Sequence, residues 1–320
     1  MFVIFAHMNI KKYIHATLLI FFTIMLLGCS NDDDRLIVDE IVLENNSLAP
    51  KRIHGHNDRL IVSSGDIWNT SDLRVYYFKN ETSNLIHQIS TPKTILDFFS
   101  VGSQTFGIGI DGHFITYDIL NDTLFQKKLP YWGFSNYFFR SGPFNVVSSG
   151  KAFRFGKVSV FDEQFSALCE LDIPMEVSRT LVLSDTLVTF GFGCYLVFDQ
   201  DDCTWLIKPL EGFFLTDAVS VDNRDEFVAI DIRGSLVKGK FRSSEISIQN
   251  QQNLGARKII RVDDEIALVG DDGLFMITRN QGDSWERYKI EGEADLIDLA
   301  KVANSWIVLT SEGRLLKIQK

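Results

Sequence analysis

Residues 268–278 read LVGDDGLFMIT: an apolar run, a turn ending in Gly273, and a second apolar run. Short β-branched and aromatic runs split by a Gly turn read as two strands of a hairpin. The same unit recurs as LIVSSGD around Gly65, IGIDGHFITYD around Gly112, VVSSGKAFRF around Gly150, TFGFGCYLVFD around Gly193, AIDIRGSLVKG around Gly234 and VLTSEGRLLKI around Gly313. The intervals between these glycines are 47, 38, 43, 41, 39 and 40 residues.

Seven units of about 40 residues, with no sustained helical period after Cys29, predict an all-β fold. The expected form is a seven-bladed β-propeller of four-stranded antiparallel blades. The long first interval is absorbed by a loop extension, IWNTSDL, after Asp66. The last unit stops early: 307–310 and 314–318 supply its second and third strands, and the chain ends at Lys320. The surplus strand-like run 36–43 is therefore expected to pair with the last blade and close the ring, because an open outer strand exposes unpaired backbone groups. The domain reading is a signal segment at 1–28, a polar tether at 29–35 and the propeller at 36–320.

The chain carries 42 acidic against 32 basic side chains in 320 residues, a formal charge of −10, and 45% of its residues are apolar. A surface of that sign repels phosphate backbones, so nucleic acid is excluded as a partner.

The N-terminus reads as an address. No acid occurs before Gly28, Lys11 and Lys12 precede an apolar run ending at Leu27, and Met8 is an alternative start. The run is of signal-peptide length and lacks a charged stop. Leu26-Leu27-Gly28-Cys29 resembles the lipobox of bacterial lipoproteins, with bulky Leu27 where that family favours a small residue. The resemblance implies cleavage before Cys29, its lipidation and a lipid bilayer as the first partner; multiple acyl chains anchor far more firmly than one. Ser30 rather than Asp after the Cys implies the Gram-negative outer membrane, facing the periplasm. Processing removes two lysines and no acid, leaving a side-chain charge of −12.

In the sixth unit, Thr278-Arg279-Asn280-Gln281-Gly282-Asp283-Ser284-Trp285 resembles the Asp-box of the sialidase-like, BNR-repeat propellers, with Asn for Asp and Ser for Thr. Thr278, Asn280, Gly282, Ser284 and Trp285 are the matching positions. In that family the box braces the turn between third and fourth strands and lies away from the active site. Asn280 is expected to bond the turn backbone, Gly282 to take positive φ and Trp285 to pack behind the hairpin. Residues 111–126 are also similar to the repeats of pyrroloquinoline-quinone-type propellers, which usually have eight blades.

Catalytic signals are sparse. Sialidase activity requires an Arg-Ile-Pro signature, and the nearest string, Lys51-Arg52-Ile53-His54, lacks the Pro. His54-Gly55-His56-Asn57-Asp58 is similar to the His-x-His-x-Asp-His motif of metallo-hydrolases, but Arg59 stands in place of the last His. No cofactor or metal set is assigned. Cys169, Cys194 and Cys203 are read as buried thiols, since a strand hairpin separates Cys194 from Cys203 by about 13 Å at roughly 3.3 Å per residue.

Two candidate binding features emerge. Asp97, Asp217 and Asp298 recur in ILDFFSV, LTDAVSV and LIDLAKV on presumed innermost strands. They read either as part of an acidic rim for a cation or basic peptide, or as acceptors for backbone amides between blades. Tyr131, Trp132 and Phe134, with Phe213 and Phe214, fall in loops on one face and read as an aromatic anchor for a protein or peptide. The expected function is a membrane-tethered, non-enzymatic scaffold that binds a protein or peptide partner in the cell envelope, with an assembly-factor role by analogy. The competing class is a hydrolase of periplasmic glycans or peptides, which requires paired carboxylates at the channel.

Overall fold

The computed structural model describes residues 36–43, 48–66, 69–79, 82–129, 137–151, 153–221, 225–290, 292 and 295–319. The compact body spans Val38–Gln319. The second unit, Met1–Ile37 with Lys320, falls almost entirely outside the described residues, and with it the signal segment, Cys29 and the tether.

Among the described residues the body is built of strands and two single 3-10 turns. After β1 (Ile37–Ile41), the first sheet is β2 (Pro50–His56), β3 (Arg59–Ser64), β4 (Ser71–Lys79) and β5 (Thr82–Thr91). The second is β6 (Ile95–Val101), β7 (Gln104–Gly109), β8 (His113–Asp118) and β9 (Thr123–Lys128). The third is β10 (Tyr137–Ser141), β11 (Phe144–Lys151), β12 (Arg154–Phe161) and β13 (Ala167–Met175). The fourth has six strands: β14 (Val177–Leu183), β15 (Thr186–Asp199), β16 (Thr204–Val221), β17 (Glu226–Asp231), β18 (Ser235–Arg242) and β19 (Glu245–Asn253). The fifth is β20 (Ala256–Val262), β21 (Glu265–Gly270), β22 (Leu274–Thr278) and β23 (Glu286–Lys289). The last is β24 (Leu296–Val302), β25 (Ser305–Thr310) and β26 (Leu315–Gln319), with β1 beside β26.

Turn chemistry explains the hairpins. Asp111-Gly112 and Asp272-Gly273 both take positive φ, as a tight Asp-Gly turn requires. At Gly273 a Cβ would also strike the Ile290 carbonyl. Equivalent bonds close the two units, Leu129 N to Gly112 O at 2.8 Å and Ile290 N to Gly273 O at 2.9 Å.

The inner strands of successive repeats pack in turn, β2 on β6, β6 on β10, β10 on β14, then β16 of the same six-stranded sheet, β20, β24 and back to β2. The body is therefore a β-propeller around a central cavity. Phenylalanine fills the layer between the second and third sheets, where Phe106, Phe114, Phe138 and Phe161 are buried together against Phe165.

Three expectations are corrected. The sheets number six rather than seven, because strand structure runs unbroken where turns were expected: β15 passes through Gly191–Gly193, and the 18-residue β16 passes through Gly212. β16 pairs with β15 through 204–209 and with β17 through 215–221, so two repeats share one sheet. Second, the circle is not closed by the N-terminal strand. β1 is an outer edge with Val38–Glu40 exposed, while closure rests on β24 against β2, where Ile53, Leu60 and Val62 are buried with Ala300, Ile307 and Leu309. Third, Cys169 and Cys203 form a disulfide, with Cα atoms 6.1 Å apart, and only Cys194 is a buried free thiol among the described cysteines. The sequence reading weighed pairing across one hairpin; the partner of Cys203 instead lies on β13, the outer strand of the preceding sheet.

Candidate functional site in the central cavity

The first strands share a local irregularity. Register slips between Pro50 and Arg52, Ile95 and Asp97, Leu215 and Asp217, Ala256 and Lys258, and Leu296 and Asp298. β14 slips likewise between Val177 and Thr180, around Arg179. A bulge bends a strand and re-aims one side chain. Here each bulge brings a charged residue to the same level of the channel, so that Arg52, Asp97, Arg179, Asp217, Lys258 and Asp298 form a belt in which cation and carboxylate alternate.

The carboxylates are saturated by donors. Asp97 takes both ends of the Arg179 guanidinium, Nη1 at 2.7 Å and Nη2 at 3.0 Å, and the Phe138 amide at 3.0 Å. Asp217 accepts Arg179 Nε at 2.8 Å, the Ile259 amide at 3.2 Å and its neighbour Ala218 N at 3.1 Å, with Lys258 Nζ at 3.2 Å. Asp298 accepts the Ile53 amide at 2.9 Å and Leu299 N at 3.0 Å. In each case the distant amide belongs to the first strand of the next unit, so the three aspartates staple neighbouring units at their inner edges. The level is not an all-acidic rim. Tyr137 completes it, its ring 5.1 Å from the Arg179 guanidinium.

Burial and pairing divide the titrations. Burial acts to raise the Asp217 pKa, but Lys258, Arg179 and the Ile259 amide outweigh it and hold the carboxylate below its usual value. At Asp298 burial wins over Lys258, Arg52 and the two amides, and the pKa is raised. Desolvation opposes the charge on Arg179, yet Asp97 and Asp217 raise its pKa. Burial pushes Tyr137 up to about 12.

Beyond the belt lies a cavity of about 790 Å³, rimmed by the turns at Asn57, Gly102, Asp263 and Asn304 that join first to second strands. His54 and His56 line its wall. His54 Nε2 bonds Ser100 Oγ at 2.6 Å, and His56 bonds Thr105 Oγ1 at 2.7 Å and Gly102 O at 3.0 Å. Burial, then His56 and Lys258, lower the His54 pKa to about 3, so the ring is neutral. Among the described residues no group of three or more His, Cys, Asp or Glu is placed to hold a metal. Each histidine of the motif is instead engaged by the β6–β7 hairpin.

The opposite strand ends carry an aromatic cluster. Phe214 is buried, with Phe192 5.2 Å and Phe153 5.8 Å away between ring centroids; Phe153 and Phe192 are 46% and 44% exposed. Phe153 and Phe155 hold positive φ, an uncommon and costly conformation for a bulky side chain. The amide of Phe153 is fixed by Glu176 Oε2 at 2.6 Å. Phe213 is half-buried against a core of Leu, Val and Phe side chains. Tyr131, Trp132 and Phe134 lie outside the described residues.

The Thr278–Trp285 turn braces itself. Thr278 Oγ1 donates to Asn280 Oδ1 at 2.8 Å and accepts Gly282 N at 3.2 Å; Asn280 Oδ1 accepts Ser284 N at 3.0 Å. Gly282 has φ +83°, and Trp285 packs half-buried on the core between the fourth and fifth sheets.

Sequence reasoning missed Arg52, Arg179 and Lys258. The signal was their place in the repeat: each stands 13 to 15 residues before its unit's turn glycine, as Asp97 and Asp298 do.

No protein-family model and no curated protein matches the chain. Among solved structures it is similar to the β-propeller domain of Cps50 (Swd1) from Myceliophteria thermophila, with a TM-score of 0.65, 8% sequence identity, and coverage of 89% of this chain and 100% of that one. At that identity the likeness establishes the propeller fold alone.

Proposed function

We propose that this protein is a lipid-anchored, non-enzymatic scaffold of the cell envelope that docks a protein or peptide partner. The observation that carries the reading is the cluster of Phe153, Phe192 and Phe214 on one end of the propeller, with two exposed rings presented over a buried third. Aromatic side chains, phenylalanine among them, are enriched in the cores of protein interfaces. The Cys169–Cys203 disulfide supports an oxidising compartment, in keeping with the lipobox-like Leu26–Cys29 and an outer-membrane, periplasm-facing address. The self-braced turn at 278–285 supports kinship with the Asp-box propellers. A non-enzymatic role is favoured because the channel carboxylates are held by Arg179, Lys258 and backbone amides, with no pair left to act as acid and base.

A photo-crosslinking residue at Phe192, and another at Phe125, which is 64% exposed elsewhere on the body, test the proposal in intact envelopes. A discrete protein adduct from position 192 alone is expected. Equal labelling from both positions rejects this face as the docking site. Cys29→Ser is expected to move the protein from the membrane to the soluble fraction.

A further inference from the structure

The belt spends its carboxylates completely and its cations incompletely. Every carboxylate oxygen of Asp97, Asp217 and Asp298 accepts at least one donor from the protein. On the cationic side, Arg52 donates Nε to Leu96 O at 3.1 Å and Nη1 to Lys51 O at 3.0 Å, both main-chain carbonyls. Lys258 Nζ has three donors, with Asp217 at 3.2 Å and Asp97 only at 4.0 Å. Arg52 and Lys258 flank Asp298, and both act electrostatically on it.

Above them the wall adds Arg261, which donates to Ser220 O and Asp263 O at 3.0 Å each, and Lys301, paired with Glu265 at 2.6 Å. The charged lining of the cavity thus comprises Arg52, Arg179, Lys258, Arg261 and Lys301 against Asp97, Asp217, Asp263 and Asp298. With Glu265 paired to Lys301, five cations face five carboxylates here, so the channel lacks the acidic excess of a chain of net charge −10. Between polar residues such as His54, His56 and Thr180, the wall has an apolar stretch at Phe139, Leu181, Val219 and Ile260.

We propose that the central cavity binds an anionic group, a carboxylate or phosphate, at Arg52 and Lys258, with any apolar remainder of the ligand lying against Phe139, Leu181 and Val219. The charge-assisted donors left on the two cations give such a group its bonds, and burial beside low-dielectric walls strengthens them. The cavity opens through the first-to-second-strand turns, at the end opposite the aromatic cluster, and the site does not depend on what docks there.

Calorimetric titration of the full chain in detergent tests this with inorganic phosphate and hexanoate as separate probes, choline chloride as a cationic control, and Lys289→Gln as a surface control. Saturable binding of at least one anion is expected, weakened tenfold or more by Lys258→Gln and by Arg52→Gln and unchanged by Lys289→Gln. Phosphate alone, or hexanoate alone, assigns the ligand class. Asp298→Asn separates charge from structure: removing the carboxylate between the two cations tightens anion binding if the proposal holds, even though the variant melts lower. Absence of saturable anion binding, equal affinity in Lys258→Gln, or weaker binding in Asp298→Asn overturns it.

Discussion

Two junctions of the propeller solve the same problem in different ways. Between the third and fourth sheets the chain runs straight on, from Met175 at the end of β13 to Val177 at the start of β14. Even so, that junction is tied again at its outer edge by the Cys169–Cys203 bond. Between the last and first sheets no covalent link exists among the described residues, and the contact depends on Asp298 and on the buried group of Leu43, Ile53, Leu60, Ala300 and Leu309. The difference follows from where apolar surface is available. β13 is exposed along its outer face, and its inner residues Cys169, Leu171, Ile173 and Met175 are half-buried or buried on a core with Leu196, Phe198 and Trp205. β2, β3, β24 and β25 bury theirs deeply. At one junction a disulfide is added to a core faced by a half-exposed outer strand, and at the other packing and the Asp298 staple act without a covalent bond.

The largest expected effect is on the stapled side. The disulfide spans 34 residues, and constraining a loop of that length in the unfolded chain is worth about 4 kcal/mol. Cys169→Ser with Cys203→Ser should lower stability by roughly that amount in chemical denaturation, and reducing agent should produce the same loss in the parent chain. If the double variant loses less than about 1 kcal/mol, the outer edge is held by packing and the contrast fails.

At the open junction, Asp298→Ala strands two buried amides, Ile53 N and Leu299 N, at about 1–3 kcal/mol each. A loss of about 3 kcal/mol is expected, with cooperative unfolding retained. Hydrogen exchange sharpens the comparison: the amides of β2 should lose protection before those of β14. A smaller loss, about 2 kcal/mol, is expected for Leu43→Ala, which removes a side chain at the rim of the same buried group. Leu43 is the informative position in the N-terminal segment, because Val38–Glu40 are exposed and contribute little burial.

Much of the fold was legible because it is written in local patterns. The repeat of apolar runs around Gly112, Gly234, Gly273 and Gly313 depends on turn chemistry a few residues long, and each of those glycines takes positive φ. The sheet count was not legible, because Gly193 and Gly212 also take positive φ, yet strand pairing continues past them in β15 and β16. A glycine signals a permitted conformation and not a break in hydrogen bonding. The aspartates of the inner strands were visible as a repeated letter, but their roles depend on Lys258 and on Arg179, which lies 82 residues from Asp97 and 38 from Asp217 in sequence. The disulfide was missed for the same reason: its halves lie in different sheets.

The smallest expected effect is the pH dependence of the belt, and it has opposite signs at two aspartates. Asp217, held by Lys258 and by Arg179 from the stapled side, has a lowered pKa. Its contribution to stability is present above the unfolded value near 4 and is lost as pH falls through the lower folded value. Asp298, at the open junction, has a raised pKa because burial dominates. Its folded form holds a proton more tightly than the unfolded chain, so stability from this group is present below about 4 and is lost as pH rises through the folded value. Melting temperatures taken from pH 3 to 7 should therefore show the deficit of Asp217→Asn shrinking toward acid and that of Asp298→Asn shrinking toward neutrality. Parallel profiles for the two variants would mean that the junctions carry the same electrostatics, and that the alternation of charge around the belt leaves no carboxylate less well paired than the others.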